Sequence, residues 1–510
     1  MRVMPSSREF WSSRCPLRDR ARWATAEEAL GGAYATTAES GFDATTVVCD
    51  PSLAATLLRE HDGEAGGLGK PDKSTGGPIG ELLRHSLTNA PPGAEWRRQR
   101  SACEKALGSV GRLARSADAF AVAAARDAAA TLSPAGTGSR EVDLKPAVYA
   151  CAARVMSLIV VGEAHAGTVA DALLDMWRRG RVAVGEMDRA SAAAAARRLS
   201  VAVAAAAADA ARDEATEPNE ATEPNSIPPI DDTPIDQPLL VELLRQPELT
   251  FAEAESNAHS FLLAGFETTA VVALFALLHL AHDHACQSAC AADAGDVSRC
   301  ESSPLVRAVI EETLRLYPPV LSLPRVVRDP GGLTIPDEGG VKKVLPGARM
   351  TVCSAAASFL RWPDAHRWIP ARHLKPPFEG GGDVRVPGAG KEAKRPTIVA
   401  FGVGPRRCPA GLLATRVARK IVETILADVV LSPPQGAPKD GVDVRTARGG
   451  CCWPPRGLEG VDESPRYYWE RRLVQTPVLL LTDAATVTAM RLSTKERNGR
   501  SIVHQERTRI

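Results

Sequence analysis

One cysteine constrains this chain more than any other residue. Cys408 sits in Phe401-Gly402-Val403-Gly404-Pro405-Arg406-Arg407-Cys408-Pro409-Ala410-Gly411, and a helix-like run follows from Leu412 to Val429. Cationic neighbours and a helix N-terminus both lower a thiol pKa. Gly402 and Gly404 let the backbone turn tightly and bring amide N–H groups toward the sulfur. The pattern suits a cysteine that serves as a thiolate ligand rather than as core filler.

Four other segments carry chemistry, in a fixed order along the chain. In Trp96-Arg97-Arg98-Gln99-Arg100, Trp96 and Arg100 are four apart and share one helical face. Ala264-Gly265-Phe266-Glu267-Thr268-Thr269 lies inside the longest helix-like stretch, Phe251 to about His282. Gly265 costs such a helix about 1 kcal/mol relative to Ala. Thr268 can bond the carbonyl one turn back and locally open the ladder, beside the acid Glu267. Glu312-Thr313-Leu314-Arg315 places opposite charges three apart on one helical face. Trp368-Ile369-Pro370-Ala371-Arg372-His373 brings a second arginine from a later segment.

Together the five segments resemble the cytochrome P450 family. Its haem-binding signature is Phe-x-x-Gly-x-Arg-x-Cys-x-Gly. Phe401, Gly404, Arg406 and Cys408 fill the first four fixed places, while the last holds Ala410, with Gly411 one step later. The resemblance runs from about Val47 to about Val430. It implies a mainly α fold with a small β region, and haem b between the long central helix and the cysteine loop. Cys408 is then the axial ligand to iron, and a thiolate there favours O–O cleavage. Phe401, Gly404, Arg406, Trp96, Arg100 and Arg325 fall at cofactor-binding positions, the arginines and Trp96 toward the haem propionates. Glu267 and Thr268 are the catalytic pair, an acid and an alcohol suited to a proton relay. Glu312, Arg315 and Arg372 form a structural network in which a carboxylate is held between two guanidiniums.

The activity implied is a haem-dependent monooxygenase that inserts one oxygen atom of O2 into an apolar small molecule. Electrons would come from NAD(P)H through a separate donor, a ferredoxin, flavodoxin or reductase. No appended flavin or iron–sulfur domain is visible after Cys408. A haem-thiolate isomerase or peroxygenase, and a haem-binding non-enzyme, are the competing readings. Retention of Glu267-Thr268 favours oxygen activation. The substrate is not legible.

Composition sets the remaining bounds. The 510 residues are 44% hydrophobic, enough for a sizeable core, and carry a net charge of +1, which gives no electrostatic case for nucleic acid. No charge-free apolar span of about 20 residues appears, so no transmembrane anchor is expected and the chain reads as soluble and cytoplasmic. Its Arg- and Ser-rich start leaves organellar targeting open. Eleven cysteines at irregular spacing do not make a disulfide framework, and Cys286, Cys290 and Cys300 are a weak zinc pattern in what reads as a loop to Ser303.

The expected organisation is an N-terminal segment 1–40, a catalytic domain 41–460 and a C-terminal extension 461–510. Within the domain, 213–238 is a Pro- and Glu-rich linker with a tandem Glu-Ala-Thr-Glu-Pro-Asn. Thr45–Val48 reads as a strand, and Pro51 as the start of a helix through Arg59. Arg115–Leu132 and Met187–Arg212 are alanine-rich helices. Thr250 and Glu253 form a capping box, and Ser322–Val352 is β-rich. Phe378–Lys394 reads as a charged, glycine-rich loop, Leu473–Thr482 as strand material and Ser493–Ile510 as a polar tail.

Overall fold

The structure, a computed structural model, describes residues 33–35, 45–62, 67–71, 78–108, 110–132, 140–182, 186–216, 237–294, 303–337, 340–374, 398–433 and 489–494. A short strand β1 (Ala33–Ala35) lies antiparallel to β2 (Thr45–Val48). Asp50 then caps α1 (Pro51–Glu60), its carboxylate accepting from the Leu53 amide at 2.6 Å. Pro51 occupies the first turn, where a missing N–H costs nothing. The two-residue strand β3 (Leu68–Gly69) and the short helix α2 (Pro78–Leu82) precede α3 (Ala94–Gly108). Trp96, Gln99, Arg100, Cys103 and Leu107 are the buried stripe of α3.

Helices build the core. α4 (Val110–Leu132) buries alanines at helical spacing, from Ala117 through Ala121, Ala125 and Ala129 to Leu132. Strand β4 (Arg140–Asp143) leads into α5 (Leu144–Val161), where Asp143 caps the Lys145 amide at 3.0 Å. α5 is apolar over most of its circumference, Lys145 and Arg154 excepted, and is largely buried. α6 (Glu163–Val182) packs on α5, and α7 (Glu186–Thr216) packs on α6. α7 continues to Thr216, four residues into the stretch expected to be linker; the tandem copies lie mostly outside the described residues. After α8 (Leu239–Leu244) comes α9 (Phe251–His282), 32 residues and about 48 Å long. Its capping box is complete. The Glu253 amide donates to the Thr250 hydroxyl at 3.2 Å, and the Thr250 amide donates to the Glu253 carboxylate at 2.9 Å.

The stretch expected to be a loop from Cys286 is instead largely helical. Asp283 accepts from the Cys286 amide at 2.9 Å and starts α10 (His284–Ala294). Cys286 and Cys290 sit one turn apart with their thiols hydrogen-bonded, and Cys300 lies outside the described residues. α11 (Pro304–Leu316) carries the Glu312–Arg315 pair.

The β part forms next. Strands β5 (Leu323–Val327), β6 (Leu333–Asp337), β7 (Gly340–Val344) and β8 (Arg349–Val352) follow in sequence, and β6 and β7 make a hairpin. One sheet runs β1-β2-β8-β5-β3, antiparallel except for the β2–β8 pair. α12 (Ser354–Phe359) and a 3-10 turn (Pro370–His373) lead toward the cysteine loop and α13 (Gly411–Asp428). β9 (Val429–Ser432) pairs with β10 (Ala489–Thr494), which also pairs with β4. The expected polar tail from Ser493 therefore begins as ordered strand. Phe378–Lys394 and Leu473–Thr482 lie outside the described residues.

α9 runs through the middle of this assembly and packs on α5, α11 and α13. Two helices, α5 and α9, are long and apolar enough to cross a membrane by composition, which the absence of a charge-free span in the sequence did not anticipate. Each is mostly buried within the protein, as core helices are.

Candidate active site

Hydrogen bonds between loop backbone groups shape the segment that carries Cys408. The Gly402 amide donates to the Val399 carbonyl at 2.9 Å, Arg407 to Gly404 at 3.1 Å, and Cys408 to Phe401 at 2.8 Å. Gly402 and Gly404 both take positive φ, 69° and 77°. At Gly404 the requirement is doubled, because a Cβ there would stand 2.0 Å from the Leu58 carbonyl oxygen on α1. The signature's displaced glycine also has a role. Gly411 starts α13 flat against the Phe401 ring, where a Cβ would sit 3.3 Å from ring carbons.

Cys408 has a solvent-accessible side chain yet lies deep in the protein. Desolvation raises its thiol pKa, opposed by a backbone hydrogen bond at Ala410 and by the charge of Arg100. The charge that lowers it is that of Arg100 rather than of the flanking Arg406 and Arg407, and burial outweighs both lowering influences.

A cluster of cations surrounds the loop. Arg100 donates to the Arg407 carbonyl at 2.6 Å and to Glu104 at 2.8 Å. Arg406 stacks over Trp96, its guanidinium carbon 4.6 Å from the ring centroid. Arg325 is held by Asp62 in a two-pronged pair of 2.9 and 2.7 Å. The same carboxylate reaches Arg406 only at 3.9 Å. Arg406 is 2% exposed, and its Nε and Nη1 have no hydrogen-bond partner. Burial pushes its pKa down to about 10, with Asp62 opposing and Arg325 and Arg100 adding to the drop. Two sequence-predicted neighbours, Arg325 and Arg406, thus differ. Asp62 binds two nitrogens of the first and leaves the second short of an anion. Nothing in the sequence pointed to Asp62.

On α9, Thr268 donates to the Ala264 carbonyl at 2.7 Å, as its place in the helix led us to expect. Its neighbour Glu267 is buried and accepts from Trp177 Nε1 of α6 at 3.3 Å. Trp177 packs with Tyr149 and Phe266, ring centroids 4.3 and 6.3 Å away. The acid and the alcohol therefore face different partners. Gly265 makes room for Met156 of α5, whose terminal methyl would lie 2.5 Å from a Cβ.

On α11, Glu312 is fully buried and collects five hydrogen bonds. Arg315 binds it twice at 2.8 Å, Arg372 Nε at 3.1 Å, the Ile369 amide at 2.8 Å and His373 Nε2 at 2.7 Å. Burial is the largest influence and raises its pKa. Arg315 and His373 lead the contacts that hold it down to about 2. His373 was missed in the sequence, although it directly follows Arg372.

A second network fixes α3 to the start of α9. Arg98 and Gln99 both donate to Glu253, and Asn257 accepts from the Leu87 amide at 2.8 Å. Trp96 and Arg100 are positioned by this anchorage.

These residues fit haem. A buried guanidinium with two orphaned nitrogens calls for an anion, and haem brings propionates. A solvent-accessible thiol lies two residues along the same loop, at the head of a helix and within reach of the Ala410 amide.

The comparisons with known proteins agree with this geometry. The cytochrome P450 family model matches residues 36–446. Cytochrome P450 monooxygenase ptmK of Penicillium ochrochloron is 28% identical over 231 residues, which are 41% of this chain and 44% of that protein. Averantin hydroxylase of Aspergillus parasiticus is 31% identical over 198 residues, 36% of each chain. The matched stretch thus spans less than half the length of these relatives. A zebrafish cytochrome P450 solved with progesterone superposes with a TM-score of 0.62, covering 83% of this chain and 94% of its own at 17% identity. That likeness shows the fold. The family model covers most of the sequence, and the chain belongs to the cytochrome P450 family, whose cofactor is haem.

Proposed function

We propose that this chain is a haem-thiolate monooxygenase that inserts one oxygen atom of O2 into an apolar organic substrate. The observation that carries the reading is the solvent-accessible Cys408 thiol in the same loop as a buried, under-satisfied Arg406. Cys408 would hold the iron. Arg406, stacked on Trp96, would take a propionate, with Arg100 holding the loop carbonyl beside it and Phe401 lying against the loop. Gly404 keeps the loop seated on α1. Arg325 would act mainly through Asp62, since two of its nitrogens are already bound there. Haem held in this way supplies the electron transfer to dioxygen and its cleavage.

The chain's own part is protons, orientation and dryness. Thr268 offers a hydroxyl whose proton is shared with the Ala264 carbonyl, and Glu267 can deliver protons from the side of Trp177. Trp177 is a positioning residue, because its N–H fixes the direction of the acid. Glu312, Arg315 and Arg372, joined by His373, form the structural support. Electrons would come from NAD(P)H through a separate ferredoxin, flavodoxin or reductase.

The test compares the wild type with Cys408→Ser by the absorption of the reduced, carbon-monoxide-bound protein. The wild type should give the thiolate-ligated spectrum and the variant should lose it. An unchanged spectrum in the variant overturns Cys408 as ligand. Product that forms without reductant or without dioxygen overturns the monooxygenase reading in favour of a peroxide-using or rearranging enzyme.

A further inference from the structure

A cavity of about 470 Å³ opens between α2, α7 and the first turns of α9, lined among others by Leu82, His85, Ala196, Arg197, Glu255 and His259. Its volume falls in the range of small-molecule sites. Its place on α9 separates it from Thr268. His259 and Thr268 are nine residues apart, about 14 Å along the axis, and nine steps of 100° put them on opposite faces of the helix.

The interior of this cavity has an unmet need. His259 is 3% exposed, and its Nε2 has no hydrogen-bond partner. The other ring nitrogen bonds the Glu255 carbonyl one turn back. That bond makes the other nitrogen the donor and leaves Nε2 as a bare acceptor, and burial keeps the ring neutral by pushing its pKa down to about 4. A buried acceptor without a donor is costly unless a ligand supplies one. Glu255 stands four residues before His259 on the same face and also lines the cavity. Ser256 does not compete for the same ligand. It donates to the Leu82 carbonyl at 2.8 Å and accepts from the His85 amide at 3.2 Å, which pins the α2 segment as a fixed wall. At the rim, Glu81 is paired with Arg84 at 2.6 Å, and Arg197 is exposed, free to extend into water.

We propose that this cavity binds a small organic amine, its ammonium group donating to His259 Nε2 and to the Glu255 carboxylate, its hydrocarbon body against Leu82, Ala196 and Ala252. One cation with several N–H donors meets both acceptors, whereas a single hydroxyl meets one of them.

The test is calorimetric titration of the full-length haem-loaded protein with cyclohexylamine, the iron being blocked by cyanide so that the amine cannot reach it. Cyclohexanol, nearly the same shape, is the comparison. Cyclohexylamine should bind one to one, and cyclohexanol at least about tenfold more weakly. His259→Phe and, separately, Glu255→Gln should each weaken the amine by about tenfold or more, with circular dichroism and the haem spectrum unchanged. Glu255→Gln lies at a half-buried position and keeps the test open if the histidine variant does not fold. The proposal is overturned if cyclohexylamine does not bind the wild type at millimolar concentration, if cyclohexanol binds equally well, or if a folded variant binds the amine as the wild type does.

Discussion

Glu312→Gln breaks a fully buried ion pair and strands donors that now converge on one carboxylate. The two carboxylate oxygens accept five hydrogen bonds: Oε1 from Arg315 Nη2, the Ile369 amide and Arg372 Nε, and Oε2 from Arg315 Nε and His373 Nε2. An amide offers one acceptor oxygen and one donor group. If its NH2 takes the Oε1 place, three donors are stranded. If it takes the Oε2 place, the Arg315 Nε–H is stranded and His373 must turn a lone pair inward. In either case Arg315, itself fully buried, loses its counter-charge. Each stranded donor costs about 1–3 kcal/mol, and breaking a buried pair costs about 3–5 kcal/mol in all.

The same site fixes a pH dependence. The native contacts lower the Glu312 pKa from 4.5 to about 2. A lowered folded-state pKa means the unfolded chain takes up the proton first as pH falls. The stabilisation is therefore fully present above pH 4.5 and is lost as pH drops toward about 2. Its size is roughly 3 kcal/mol, from about 1.4 kcal/mol per unit. Urea unfolding followed by far-ultraviolet circular dichroism measures both quantities. At neutral pH the variant should be about 3–5 kcal/mol less stable, and the gap should narrow as the pH falls below 4.5. A neutral-pH cost under about 1 kcal/mol, or a gap that does not change with pH, refutes the reasoning.

Two further outcomes follow from the cysteine loop. Arg406→Gln should stabilise the haem-free protein slightly, because it removes a buried charge whose Nε and Nη1 are unpartnered, while weakening haem retention, measured by haem transfer to a competing acceptor protein. A loss in both would mean that Arg406 is already satisfied by Asp62. Gly404→Ala should destabilise by at least about 2 kcal/mol in the same urea assay, since the position combines left-handed backbone with a backbone carbonyl 2.0 Å from the new Cβ. Gly265→Ala should cost far less, because the obstacle there is the free end of Met156 and alanine favours the helix.

Much of the fold was legible because its signals are local. The capping box at Thr250, the proline opening α1 and the alanine stripes of α4 and α7 each lie within a few residues of what they control. α10 was misread as loop because Asp283 as a cap carries little pattern without the helix behind it. Ser493 and Thr494, expected to open a polar tail, instead end β10, and the reason is different. β10 is ordered by strands more than 50 and more than 300 residues away, and no window of sequence contains both partners.

The candidate site divides in the same way. Cys408, its glycines, Trp96, Glu312 and Arg315 stand in short motifs whose spacing alone places them on a loop or on one helical face. Sequence by itself therefore determined the family of the chain and its mainly helical class. Tertiary structure alone decided which charges are met: Asp62 satisfies Arg325 and leaves Arg406 short, Trp177 turns Glu267 away from Thr268, and His373 completes the Glu312 cluster. Most of these pairings join residues tens to hundreds of positions apart. Their energies depend on distances of a few tenths of an ångström in a buried, low-dielectric interior, which only the packed fold sets.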